Sequence, residues 1–270
     1  MKRFAFILSV SLVGFIASCT HVSDDDIDPD AVSKLAKCPL RSISSPSGAP
    51  FYSFEYTLKR IKRIVTHESG EVATTFNYDS KDRIEEMLIK VADNSVEYTV
   101  LFDYNNSGQI NKSRTFIRDF QFMTNEFTYS GDHISNVSTQ FDIFGSTVKG
   151  KTRVEYQGDN VSKVFTQIDG FPELLTFEGI SYDNKPQFLP TGYRTMALGF
   201  IGIANNFFAA FGKNNPTQVK VYDDNGKLFE TTQTSYEYDK NGIVTSAEQT
   251  LTNADNVATV RKIIFEFVCL

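Results

Sequence analysis

Along most of the chain, apolar residues stand two apart with one polar residue between them, and these triplets recur ending on a tyrosine. Aligning on it gives Phe54-Glu55-Tyr56, Phe76-Asn77-Tyr78, Phe102-Asp103-Tyr104, Phe127-Thr128-Tyr129, Val154-Glu155-Tyr156, Ile180-Ser181-Tyr182, Val221-Tyr222 and Tyr236-Glu237-Tyr238. A spacing of two puts both apolar side chains on one face of a strand. The first six tyrosines are 22, 26, 25, 27 and 26 residues apart. A period of that size means units that each hold two strands and two turns, and that bury their apolar faces only by stacking on neighbours.

Turn chemistry follows the tyrosines in two lengths. In Tyr104-Asn105-Asn106-Ser107-Gly108, Tyr222-Asp223-Asp224-Asn225-Gly226 and Tyr238-Asp239-Lys240-Asn241-Gly242, an Asx residue opens the turn and glycine comes four after the tyrosine. The Asx side chain can accept from amides ahead of it, and glycine takes the positive-φ place of a type I turn closed by a bulge. Tyr129-Ser130-Gly131-Asp132-His133 and Tyr156-Gln157-Gly158-Asp159-Asn160 are one residue shorter, which suits a two-residue primed turn. Successive hairpins predict an all-β, antiparallel up-and-down meander of roughly twelve to sixteen strands. Open sheets seldom exceed about ten strands without curling, so the expected sheet is strongly curved or closed, barrel-like.

One segment interrupts the period. Between Tyr182 and Tyr222 the spacing rises to 40, and residues 193–212 are apolar almost all round, with Pro190 before them and Gly212 and Pro216 after. This predicts an inserted apolar helix. It either plugs the curved sheet and completes its core, or forms a mobile, ligand-facing wall lined by Phe200, Phe207, Phe208 and Phe211.

The N-terminus predicts an address. Lys2 and Arg3 precede a short apolar run that reads as a signal peptide over 1–18. Gly14-Phe15-Ile16-Ala17-Ser18-Cys19 resembles the bacterial lipobox, which implies acylation of Cys19 and anchoring to a membrane through the lipid. Ser23-Asp24-Asp25-Asp26-Ile27-Asp28-Pro29-Asp30 is a self-repelling, solvated tether. It also resembles the acidic export signal of surface-displayed lipoproteins. Residues 19–50 thus read as the lipidated terminus and a Ser/Pro-rich tether, and 51–270 as a single β-repeat domain.

The repeats bear a distant likeness to the Tyr-Asp repeats of large bacterial shell-forming toxins, without their glycine-arginine pair. Together with Lys213-Asn214-Asn215-Pro216-Thr217 and the anchor, residues 51–268 resemble more closely a Bacteroidetes-type lipoprotein family of unknown function with a porin-like fold. That resemblance implies a porin-like barrel at the outer membrane, facing the cell surface or the periplasm, and implies no activity.

Charge and chemistry narrow the function. The formal net charge of −6 becomes −8 once Lys2 and Arg3 are cleaved away, and the one basic cluster, Lys59-Arg60-Ile61-Lys62-Arg63, alternates across both faces of a strand. Nucleic acid is therefore not an expected partner. In Thr147 to Tyr156, alternation puts Lys149, Lys151, Arg153 and Glu155 on one face, which belongs in water rather than lipid. Of three cysteines, Cys38 and Cys269 remain after the anchor, and either form a disulfide where first and last strands meet or stay free thiols. His21, His67 and His133 have no metal-ligand spacing, so neither a metal nor a cofactor is expected. Asp79, Asp132, Asp159, Asp223 and Asp239 are accounted for by turns. The expected function is a non-enzymatic binding or scaffold module for glycan, peptide or an apolar ligand. The alternatives are a carboxylate-based hydrolase on the same scaffold and a membrane-inserted β-barrel pore.

Overall fold

The computed structural model describes residues 38–268 apart from 59, 68–69, 92–96, 144, 202–207 and 209–210. Its strands are β1 Leu40–Ser44, β2 Pro50–Thr57, β3 Arg60–Thr66, β4 Val72–Tyr78, β5 Ile84–Val91, β6 Glu97–Tyr104, β7 Ile110–Ile117, β8 Phe120–Ser130, β9 His133–Ile143, β10 Ser146–Gln157, β11 Asn160–Ile168, β12 Leu174–Pro186, β13 Asn214–Tyr222, β14 Leu228–Tyr238, β15 Val244–Asn253 and β16 Ala258–Phe267. Each pairs antiparallel with its sequence neighbours, and β1 pairs with β16 to close a sixteen-stranded barrel. Closure places Leu40 opposite Phe267, and the Val268 amide donates to the Pro39 carbonyl at 3.0 Å. The barrel therefore begins at Leu40, earlier than the expected Phe51, because the serine-rich stretch Arg41–Ser44 is needed as the closing strand.

The tyrosine repeat has a structural cause. Each hairpin following it carries a register shift at the tyrosine, which then sits opposite the first aliphatic residue of the return strand: Tyr56 with Ile61, Tyr78 with Ile84, Tyr104 with Ile110, Tyr129 with Ile134, Tyr156 with Val161. The phenol reaches sideways to the preceding hairpin. Tyr56 donates to the Leu40 carbonyl at 2.9 Å, Tyr78 to Ile61 at 2.7 Å, Tyr104 to Ile84 at 2.7 Å, Tyr129 to Ile110 at 2.7 Å and Tyr182 to Val161 at 2.5 Å. One rim of the barrel is thus laced together by hydroxyls that satisfy carbonyls freed by the shifts.

The turns are as the side chains demand. Asp79, Asn105, Asp223 and Asp239 each accept, through Oδ1, from the amides two and four residues on, at 2.8–3.0 Å. Gly108, Gly226 and Gly242 take φ of 81°, 74° and 78°, and Asp82 occupies the matching place at 68°. The turn at Asp223 departs from expectation. Because the helical insert carries no strand, β13 runs away from the laced rim, so Tyr222 belongs to the opposite rim and its hydroxyl meets Glu178 at 3.0 Å. Val221-Tyr222 is a lookalike of the repeat, not a member.

Inward positions form the core. Phe54, Phe76, Phe102, Phe127 and Val154, one step inside the tyrosines, are all buried, and Ile61, Ile84, Ile110, Ile134 and Val161 join them. Outward positions carry ion pairs between adjacent strands, among them Arg63 with Glu55 at 3.0 Å, Arg114 with Asp103 at 2.9 Å, Lys112 with Glu126 at 3.0 Å and Lys90 with Glu97 at 3.0 Å. The expected outward row of Lys149, Lys151, Arg153 and Glu155 is exposed or half-exposed. Arg153 adds Glu173 at 2.7 Å and lies 4.1 Å over the Phe165 ring.

Candidate functional site

The segment between β12 and β13 enters the barrel from the laced rim. Its helix α1, Thr191–Gly199, is shorter than the expected 193–212, and residues 192–199 are buried. Pro190 opens it with a fixed φ of −71°. Two glycines allow the close approach. A Cβ on Gly192 would run into Ile61, and one on Gly199 would come within 2.9 Å of the Met87 methyl and 3.2 Å of Val100. Tyr193, Met196, Ala197, Leu198, Ile201, Phe208 and Phe211 all join the core cluster of the inner wall.

The end of α1 leaves carbonyls without helical partners, and the wall supplies them. Thr115 donates to the Gly199 carbonyl at 3.2 Å, and Asn125 Nδ2 to that of Leu198 at 3.5 Å. Asn125 is fully buried, accepts from Thr139 at 2.7 Å and shares its amide with Ser113 at 3.4 Å. Thr74 reaches the Met196 sulfur at 3.6 Å. These inward polar residues of β4 and β7–β9 hold the plug at a defined depth.

The return from the helix is fastened residue by residue. Lys213 meets Asp159 at 3.4 Å, and Asn214 exchanges hydrogen bonds with the Asn160 amide group at 2.9 and 3.0 Å. Asn215, fully buried, donates to the Asp183 carboxylate, the Pro186 carbonyl and the Tyr238 hydroxyl at 3.0–3.3 Å. The Pro216 carbonyl accepts from Tyr236 at 3.1 Å, and the Thr217 hydroxyl pairs with Ser181 at 2.7 Å. Tyr238 donates to Asp183, and burial, with that carboxylate second, raises its phenol far above the usual range. The stretch singled out in the sequence is therefore the clasp of the insert.

Beside this clasp the barrel wall has a seam. The ladder between β11 and β12 is last paired at Lys163 and Glu178, while both strands continue toward the laced rim. Tyr182 turns over Gly179, where a Cβ would strike the Tyr182 hydroxyl and the Val161 carbonyl, and its phenol takes up that carbonyl. The seam forms a solvent-facing cleft of about 330 Å³ lined by Gln157, Asn160, Ser162, Gly179, Ile180, Ser181 and Tyr182. An isolated glycine inside a strand and the long spacing after Tyr182 were the only sequence signals of it.

Of the residues expected to matter, Phe208 and Phe211 lie in the core and Phe200 is half-buried against it, so these three face the packed lumen. Phe207, Cys19 and Cys269 lie outside the described residues. Cys38 is buried and disulfide-bonded. Among the described residues no three His, Cys, Asp or Glu side chains gather as a metal site. His67 pairs with Ser53 at 3.1 Å, and His133 stacks on Tyr156 at 4.4 Å. Asp79 and Asp223 are held below the usual carboxylate range by turn amides, Asp142 by Thr147, and Glu173 by Arg153. A general acid needs the opposite shift.

No protein-family description matches the chain, and no curated protein matches it. Among solved structures, it is similar to the crystal structure of a porin-like protein from Bacteroides uniformis ATCC 8492, with 16% identity, a TM-score of 0.54, and coverage of 86% of this chain and 96% of that one. A porin-like protein from Bacteroides vulgatus ATCC 8482 is similar at 12% identity and a TM-score of 0.51, covering 84% of this chain and 98% of that one. At these identities the likeness is one of fold: a closed antiparallel barrel of porin-like shape.

Proposed function

We propose that this chain is a lipid-anchored envelope protein whose barrel stands in water as a non-enzymatic binding or scaffold module. The observation that carries the reading is the inverted polarity of the barrel. A membrane barrel turns apolar side chains to lipid and polar ones to its lumen. Here Phe, Ile and Val side chains and α1 form the buried core, the inward Thr74, Thr115, Asn125 and Thr139 are spent on the insert and on one another, and ion pairs link neighbouring strands on the outside. At a bilayer midplane, Arg63, Arg114, Arg153 and Lys220 alone would cost about 8–16 kcal/mol, taking about 2–4 kcal/mol for each. The buried insert α1 inside the barrel likewise speaks against conduction, and fold analogy to porins confers no transport.

Envelope association is supported by the likeness to porin-like proteins of Bacteroides, and the anchor by the lipobox-like run ending at Cys19. The non-enzymatic reading rests on the turn roles of the acids the sequence offers: Asp79, Asp223 and Asp239 are each spent on the amides of their own turn. The test is to express residues 20–270 without the anchor and purify them without detergent. A monodisperse, folded species that gives no conductance in planar bilayers is expected. Material that stays dispersed only in detergent, or that conducts, overturns the reading. In a Gram-negative host, the full chain is expected to take up labelled palmitate, and Cys19→Ala to abolish that uptake.

A further inference from the structure

We infer that the cleft in the β11/β12 seam is a binding site for one neutral sugar residue. The inference rests on the water-exposed barrel proposed above and gives it a site and a ligand class.

The lining decides the chemistry. Gln157, Asn160, Ser162, Ser181 and Tyr182 contribute amides and hydroxyls, Ile180 contributes an apolar edge, and no charged side chain lines the cleft. Two acids adjacent to lining residues in sequence, Asp159 and Glu178, are engaged with Lys213 at 3.4 Å and Tyr222 at 3.0 Å. A charged ligand would lose its hydration here without gaining an opposite charge. A wholly apolar one would strip water from the amides and hydroxyls without replacing it. What suits the cleft is a neutral molecule rich in hydroxyls with one less polar face.

The parts divide between scaffold and contact. Asn160 is tied to Asn214, Ser181 to Thr217, and the Tyr182 hydroxyl to Val161, so these three are fixed in place. The Gln157 and Ser162 side chains make no hydrogen bond among the described residues, which leaves an amide and a hydroxyl for a ligand. Ile180, 42% exposed, supplies the apolar edge for C–H groups, and the Tyr182 ring, lying against Gly179 and Gly212, shapes the wall beside it. The volume of about 330 Å³ is at the low end of the range of roughly 300–1,000 Å³ for small-molecule sites, which fits one ring rather than an extended chain. The cleft faces solvent, so the sugar can be a terminal residue of a larger glycan.

The test is saturation-transfer NMR on residues 20–270, in which the described barrel is whole, using neutral methyl hexopyranosides as probes. A methyl glucuronide and a capped tripeptide serve as contrasts. Transfer to at least one neutral glycoside, concentrated on its C–H face, is expected, with weaker or no transfer to the contrasts. Gln157→Ala and Ser162→Ala, which touch no internal hydrogen bond, are each expected to weaken binding by about tenfold, the order of one lost polar contact. Gly179→Ala is expected to abolish it by displacing the Tyr182 ring. If that variant does not fold, Gln157→Ala and Ser162→Ala alone decide. A soluble, folded chain that ignores every neutral glycoside overturns the inference and leaves the water-exposed barrel standing. So does preference for the tripeptide, or binding unchanged in both Gln157→Ala and Ser162→Ala. A chain that needs detergent, read before any sugar is added, overturns both.

Discussion

Replacing Tyr104 with Phe isolates one rung of the laced rim. The hydroxyl donates to the Ile84 carbonyl at 2.7 Å, and Ile84 is buried. The ring itself is held independently, with the Arg83 guanidinium 4.2 Å over its centre, a contact that Phe keeps. The substitution therefore removes one neutral hydrogen bond and leaves a shielded carbonyl without its donor. A bond of this kind is worth about 0.5–1.5 kcal/mol net, and stranding a buried partner costs about 1–3 kcal/mol. A loss of about 1–2 kcal/mol is expected, measured by urea unfolding with the slope unchanged. Tyr222→Phe is the internal control. Its hydroxyl meets the partly exposed Glu178 carboxylate, which Lys220 at 4.0 Å and water can serve in its place, so no buried group is stranded and a smaller loss, about 0.5 kcal/mol, is expected. Tyr104 and Tyr182 share no partner, so the double variant should match the sum of the single ones within about 0.5 kcal/mol. If Tyr104→Phe and Tyr222→Phe lose the same amount, or neither loses anything, the lacing does not hold the rim and the repeat has another cause.

Three further outcomes follow from the same geometry. Burial, the leading cause, raises the Tyr78 and Tyr104 phenols from 10.0 to about 12, and raises Tyr56, Tyr129 and Tyr182 further. The fold thus favours the neutral phenol: this stability is fully present below pH 10 and is lost as pH rises toward and through 12. Alkaline titration followed by tyrosinate absorbance should show one steep, unfolding-linked step instead of a broad one near 10. Gly192→Val drives two methyl groups into Ile61 and should destabilise by about 1–3 kcal/mol, seen as a lowered thermal midpoint with loosened near-ultraviolet circular dichroism. Peptide mapping without reductant should find Cys38 linked to Cys269, since β1 and β16 bring Pro39 and Val268 together. Cys38→Ser should then cost up to about 5 kcal/mol on the loop-entropy model, as the unfolded chain regains a loop of over 200 residues.

Much of the barrel's local structure was legible because it is encoded locally. Phe102-Asp103-Tyr104 alternates with a period of two, Asn105 and Gly108 name the turn, and neither needs a distant partner to be read. The same locality misled at Tyr222. Its Asx-Gly turn is chemically identical to the others, and only the count of strands across the insert shows that it sits on the opposite rim. Sequence alone also places Arg41–Ser44 in the tether, since a short polar strand becomes recognisable only when Glu266 and Phe267 lie beside it.

The sequence by itself determined the strand period, the turns, the all-β class and the presence of an apolar insert, because these depend on residues a few positions apart. Tertiary structure alone decided that β1 meets β16, that α1 lies inside rather than over the barrel, and that Asn125 and Thr115 receive its end. It alone decided that Asn215, Asp183 and Tyr238 converge, and that Gly179 opens a seam for Tyr182. Each of these joins residues far apart in the chain, and their proximity is set by the register accumulated around the closed sheet, which no short stretch of sequence contains.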